Sequence, residues 1–221
     1  MNISIHPILH EAVPSFKVAV IAYRDITVDE SPQMLKGRLQ LFQESLFFET
    51  QEKEIYDFPG LKEWRDTFKH AGTDASRYRP SAEALYRRIK KQNYLPSIHS
   101  ATDLNNFFSL QYQCPIGIYD TDAIKGDITF TIGDEQDAYL GINERTNSLK
   151  KMIHSRDERG PFGSPHVDSK RTMVTSDTKN AIQFIYLRPS LPLEEANQLA
   201  ASLMDMFTSI SGGEASYAIY S

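Results

Sequence analysis

Apolar residues follow two rhythms along this chain. Val18-Ala19-Val20-Ile21-Ala22-Tyr23 is a short β-rich apolar run and predicts a buried strand. Met34, Leu35, Leu39, Phe42, Leu46 and Phe47 then recur near helical spacing between Pro32 and Thr50. Leu61, Trp64 and Phe68 predict a second helix over 61–70. Ala82 to Lys91 reads as a helix with a basic outer face, and Asp103 as the cap of a helix through Leu104, Phe107, Phe108 and Leu110. Asp127 to Ile132 alternates as a strand, and Ala138 to Ile142 predicts another. Residues 143–169 have little periodicity and are dense in charge, Gly and Pro, which predicts a long functional loop. Strand signals return at Thr172–Thr175 and at Ala181–Leu187. The last helix is the clearest. Pro192 opens it, Ala196, Leu199, Ala200, Leu203, Phe207 and Ile210 form its stripe, and Gly212-Gly213 stops it before a final strand, Ala215–Tyr220. Strands interspersed irregularly with helices predict an α+β fold rather than a doubly wound one.

Composition narrows the class. The 221 residues are 40% hydrophobic and 11% aromatic, ordinary for a globular chain, and one domain is the simplest count. No apolar stretch reaches the roughly 18 residues of a membrane span. Met1 to Pro7 lacks the basic and apolar regions of a signal peptide. Cys114 is the only cysteine, so no intrachain disulfide can form, which fits a reducing cytosol.

The net charge of −5 argues against generic nucleic-acid binding, but the charge is uneven. Lys62 to Lys91 carries nine cations against four acids, and Arg145 to Arg171 carries seven against three. Both windows are compatible with solvated helix faces, and both permit a local polyanion site.

The densest candidate for chemistry is Gly72-Thr73-Asp74-Ala75-Ser76-Arg77-Tyr78-Arg79-Pro80-Ser81. Small residues let a backbone approach a ligand, hydroxyls hold oxygen-rich groups, and arginine forks suit phosphate or carboxylate. The same residues also serve a plain connector in which Pro80 and Ser81 only start the next helix. No metal is expected, because the six histidines are scattered and none forms a His-x-x-x-His pair on a helix. No cofactor is expected either, since phosphate-loop and dinucleotide fingerprints are missing. Asp120-Thr121-Asp122 reads as a turn, and Cys114 has no nearby histidine to activate it. Four polar, small-residue segments remain: 72–81, 97–106, 115–126 and 160–172. They suit a pocket lined by backbone and hydroxyl groups, with water as the nucleophile.

These segments resemble the editing module, the B3/B4 domain, of the bacterial phenylalanyl-tRNA synthetase beta subunit. Leu95 to Asn106 resembles the family's L-R-x-I-N-x-V-x-D-V-T-N, and Pro115 to Gly126 its P-M-H-A-F-D-L-D-x-I-x-G. Asp177-Thr178-Lys179-Asn180 resembles E-T-Q-N, and Ser211 to Ala215 resembles C-G-G-E-A. Thr73 to Arg79 resembles T-D-A-S-H-R-Y-E-R but precedes the other blocks, whereas in the family it comes late in the module, before the final helix. The family's editing histidine falls on Gly117 and its arginine on Pro96.

The resemblance implies an α+β fold of mixed, largely antiparallel sheets packed with helices. It also implies one B3/B4-like domain, with an amino-terminal extension over 1–70 and a motif-bearing core over 71–221. Nothing resembles the synthetase's aminoacylation core. The implied activity is hydrolysis of a mischarged aminoacyl-tRNA in the cytoplasm, with aminoacyl-tRNA as partner and no membrane. Thr73, Ala75, Gly117 and Asn106 are the implied substrate-binding residues, and Arg77, Arg79 and Arg171 the tRNA-binding ones. His166, His99 and Asp168 are the catalytic candidates in place of the missing histidine. The alternative is a related module that binds tRNA, a nucleotide or an amino acid without cleaving it.

Overall fold

The computed structural model describes residues 1–221. In chain order the elements begin with β1 (Ile3–Ile5), α1 (Pro7–Ala12), β2 (Val18–Arg24), α2 (Gln33–Glu52), α3 (Pro59–His70), α4 (Ser81–Lys90) and α5 (Ser100–Tyr112). There follow β3 (Ile116–Asp120), β4 (Ile128–Ile132), β5 (Ala138–Leu140), β6 (Thr146–Ser148), β7 (Ile153–Asp157) and β8 (Gly160–Gly163). The chain closes with β9 (Ala181–Tyr186), α6 (Leu193–Ser211) and β10 (Glu214–Tyr220).

One sheet has the order β10-β2-β9-β3 and is antiparallel throughout. A second has the order β1-β4-β7-β8, in which only β1 and β4 run parallel. Strands β5 and β6 form a separate ribbon. The fold is α+β, with mixed and largely antiparallel sheets.

Strand alternation divides the first sheet's faces. Phe184 and Tyr186 point to the second sheet, where Phe184 lies 4.9 Å from the Phe130 ring and 6.0 Å from Phe162. Gln183 points the other way, accepting from the Tyr23 hydroxyl at 2.7 Å and donating to Asn105 of α5. Tyr23 in turn lies 4.2 Å from Phe207 of α6. Helices α5 and α6 therefore cover one face of this sheet and the second sheet covers the other.

A helical lobe built on α2, α3 and α4 adds its own core of Leu39, Leu46, Leu61, Tyr86 and Ile89, closed by Leu110 of α5. The segment before residue 71 is woven into the fold, because it supplies β2, an interior strand. Gly213, immediately before β10, has a positive φ, and a Cβ there would overlap the Arg24 carbonyl oxygen of β2.

Several expectations are corrected. Residues 143–169 hold three short strands, and β7 lies inside its sheet. Its sequence Ile153-His154-Ser155-Arg156-Asp157 buries polar residues, so neither an apolar run nor alternation is visible. Thr172–Thr175 forms no strand. Lys170–Thr172 is a 3-10 turn, and only an isolated bridge joins Met173 to Tyr119. The cap of α5 is His99, which accepts from Thr102 N. Asp103 lies one turn inside, and its buried carboxylate reaches back to Ile98 N at 2.9 Å and to the Ser31 hydroxyl at 2.6 Å.

Candidate functional site

The segment after α3 docks onto the loop after β8. Gly72 turns the chain with φ 88°. Asp74 then accepts from Ser76 N at 2.9 Å and from its hydroxyl at 2.6 Å, a local turn of the kind aspartate favours. Farther on, Ser81 N donates to Pro165 O at 2.8 Å and His166 Nδ1 donates to Arg79 O at 2.7 Å. The Tyr78 and His166 rings meet edge to face, 5.5 Å apart. The out-of-order block thus comes to lie against the loop that carries His166.

A carbonyl can only accept, so the Arg79 contact requires the His166 proton on Nδ1. Nε2 keeps its lone pair and has no protein hydrogen bond. Burial lowers the pKa of His166, and the bond to Arg79 O offsets this in part. The imidazole is therefore neutral near pH 7 and basic at Nε2.

Two residues on, Asp168 accepts from the Tyr119 hydroxyl at 2.6 Å. Burial drives its carboxyl up to about 7, while hydrogen bonds from Tyr119 and the Ser164 backbone pull it down. The residue as a whole keeps some solvent contact although its carboxyl sits deep.

Gly117 pairs with Phe184 and so shares the inward face of β3 with Tyr119. A Cβ on Gly117 would overlap the Tyr119 hydroxyl and come within 3.0 Å of Asp168 Oδ2. A Cβ on Gly163 would overlap the same hydroxyl. The space a side chain at Gly117 would fill is therefore taken by Tyr119 leaning back along its own strand. Nearby, the buried Tyr186 hydroxyl has no hydrogen-bond partner. The Tyr139 hydroxyl bonds Ser164 Oγ at 3.0 Å and the Val167 carbonyl, which holds the loop of His166 and Asp168 in place.

The other candidates are placed as follows. Thr73 is buried, and its hydroxyl donates to Lys151 O at 2.7 Å. Ala75 is buried, and its carbonyl accepts from Arg65 Nη1 at 3.2 Å. Arg77 is exposed, its guanidinium 5.2 Å from the Tyr78 ring, and Arg79 is exposed, 3.7 Å from Glu83. Arg171 is committed internally: it grips Asp157 with two bonds of 3.0 and 2.9 Å and also donates to the Ala123 and Gly160 carbonyls. His99 caps α5, and Asn106 lies on the same helix, across the sheet from Gly117.

The structure thus brings Gly117, Asp168, His166 and the Arg77–Arg79 segment together, and leaves His99 and Asn106 on the helical side. Sequence reasoning missed Tyr119, Tyr139, Tyr186 and Gly163. Tyr119 carried a legible signal, since two strand positions beyond Gly117 is the same face.

Two stacked sheets with a helical lobe, and a site where the 72–81 segment meets the loop after β8, place the chain in the α+β class. The family model of the B3/4 domain matches residues 63–190, and the chain belongs to that family. The uncharacterized protein YhzB of Bacillus subtilis (strain 168) is 34% identical over 213 residues, 96% of each chain. Among solved structures the chain is similar to an N-terminal fragment of the phenylalanyl-tRNA synthetase beta-subunit from Pyrococcus horikoshii, with a TM-score of 0.47 and 16% identity. That match covers 97% of this chain and 50% of the fragment, so the chain spans half the fragment's length. No helix is long and apolar enough to cross a membrane.

Proposed function

We propose that this protein is a trans-acting aminoacyl-tRNA deacylase of the cytoplasm, built as one B3/B4-like domain. One observation carries the reading. A neutral histidine with a free Nε2 stands where the Arg77–Arg79 loop meets the loop of Asp168. Membership of the B3/4 domain family and the blocks shared with the synthetase editing module support it.

In the proposed reaction, His166 Nε2 takes a proton from water as the oxygen attacks the ester carbonyl carbon. The tetrahedral intermediate collapses with cleavage of the bond to the terminal ribose oxygen. The imidazolium returns its proton to that oxygen, releasing the free amino acid and uncharged tRNA. Asp168, two residues from His166 and held by the Tyr119 hydroxyl, is assigned the role of orienting the substrate amine or the water.

The test is a panel of mischarged tRNAs incubated with the protein and with its His166→Ala variant. The expected result is release of one amino acid, reduced about 10²- to 10⁴-fold in the variant. Full activity of His166→Ala overturns the assignment. The Tyr119 hydroxyl in the space beside Gly117 favours a second reading, a module that binds tRNA, a nucleotide or an amino acid without cleaving it. Binding without release by the wild-type protein selects that reading.

A further inference from the structure

We infer that the basic cleft beside α4 is the surface on which this protein holds an RNA phosphate backbone. The choice of RNA as partner rests on the tRNA reading above, whereas the cleft itself is read from the structure. It encloses about 700 Å³, and Arg79, Arg87, Arg88, Lys90 and Lys91 line it. No carboxylate lines it. This is a concentrated field in a chain whose net charge is −5.

Part of this charge has a local explanation. Cations in the last turn of α4 complement its dipole. Arg87 is paired with the buried Glu83 at 2.7 Å, and Lys90 with Glu54 at 3.4 Å. Arg88 and Lys91 are exposed and have no carboxylate within ion-pair distance, and Arg79 reaches Glu83 only at 3.7 Å. Three cations on one concave wall are thus left under-compensated. Helix α4 runs about 15 Å, and one strand presents a phosphate about every 3.4 Å of duplex axis, so several phosphates can lie along it.

Two connections tie the cleft to the candidate site. Arg79 lines the cleft while its own carbonyl accepts from His166 Nδ1. On the far side of Glu83, the Tyr56 hydroxyl joins Glu83, Arg87 and Arg65, and Arg65 also donates to the Ala75 carbonyl. A backbone gripped at α4 therefore lies next to the segment that orients the histidine. Arg171, committed to Asp157, is outside this surface.

The test measures binding of uncharged tRNA by fluorescence anisotropy across a salt series, for the wild type and for Arg88→Ala/Lys91→Ala. Both replaced residues are exposed, and circular dichroism checks that the variant is folded. Wild-type affinity is expected to fall steeply with salt, and the variant to bind on the order of tenfold more weakly near 0.1 M salt. Its log–log salt slope is expected to be shallower by about 1.4–1.8, the share of two lost phosphate contacts. Equal affinity and slope in the two proteins overturn the cleft, even if ester release is found. Wild-type binding to phosphatidylserine vesicles but not to tRNA overturns it as well. Cleft-dependent binding without any ester release supports the cleft and overturns only the deacylase reading.

Discussion

Replacing Asp168 by Asn tests the buried carboxyl through the pH dependence of stability. The carboxyl titrates at about 7 in the folded protein against an ordinary 3.8. Between about pH 4 and about pH 7 the folded protein therefore holds one more proton than the unfolded chain, and this group's effect on stability falls by about 1.4 kcal/mol per pH unit. The destabilisation is absent below about pH 4 and complete above about pH 7, where it reaches up to about 4 kcal/mol. Asparagine has no such titration, and its oxygen can still accept the Tyr119 hydroxyl.

The difference in unfolding free energy is thus expected to move in favour of Asp168→Asn from about pH 5 to about pH 7 and to level off by about pH 8. Urea denaturation followed by the fluorescence of Trp64 reads it, because this is the only tryptophan and it is buried. A difference between variant and wild type that stays constant across this range would refute the assignment of a neutral, buried carboxyl.

Two further outcomes are expected. Gly117→Ala forces a methyl group into the Tyr119 hydroxyl and to within 2.7 Å of its Cζ. Overpacking of this kind costs about 1–3 kcal/mol, a fall of some 2–4 °C in Tm per kcal/mol by calorimetry, and the cost should shrink in a Tyr119→Phe background. An unchanged Tm means that the hydroxyl does not occupy this space. Arg171→Met leaves the Asp157 carboxylate, whose side chain is 0% exposed, without its partner. The expected loss is about 3–5 kcal/mol in denaturant with little change in the salt slope of tRNA binding, whereas weaker tRNA binding at full stability would return Arg171 to the interface.

Where burial follows a period, the elements were legible. The stripe of α6 and the apolar run of β2 declare themselves, and the ends of α6 carry Pro192 and Gly212 as signals. Strand β7 was not legible, because fully buried His154 and Ser155 read as surface residues until their tertiary surroundings are known. The cap of α5 was misplaced for a related reason. Aspartate is a strong cap by type, but this one is taken by Ile98 N and Ser97 just before the helix and by Ser31, a partner 72 positions away. At the candidate site the 72–81 segment stood out by its small, hydroxyl and arginine residues, whereas Gly117, His166 and Asp168 were reached through the family resemblance. Their meeting depends on Arg79 O and His166 Nδ1 closing a loop of 87 residues. Arg171 shows the converse. Its charge was visible, but its engagement with Asp157 was not.

The place of β2 between β9 and β10 bears on how the chain reaches this state. Val18 pairs with Tyr186 and with Tyr220, and Tyr23 bonds Gln183 across 160 positions. During synthesis at ~5–20 residues per second, the apolar run of β2 therefore waits roughly 8–30 s for its first partner strand. Through that interval it is an unpaired, uncharged β-former of the kind that associates with its own copies. Nascent chains of this protein are expected to depend on chaperones more than their modest size implies, and stalls before β9 are expected to favour aggregates over partly folded monomer.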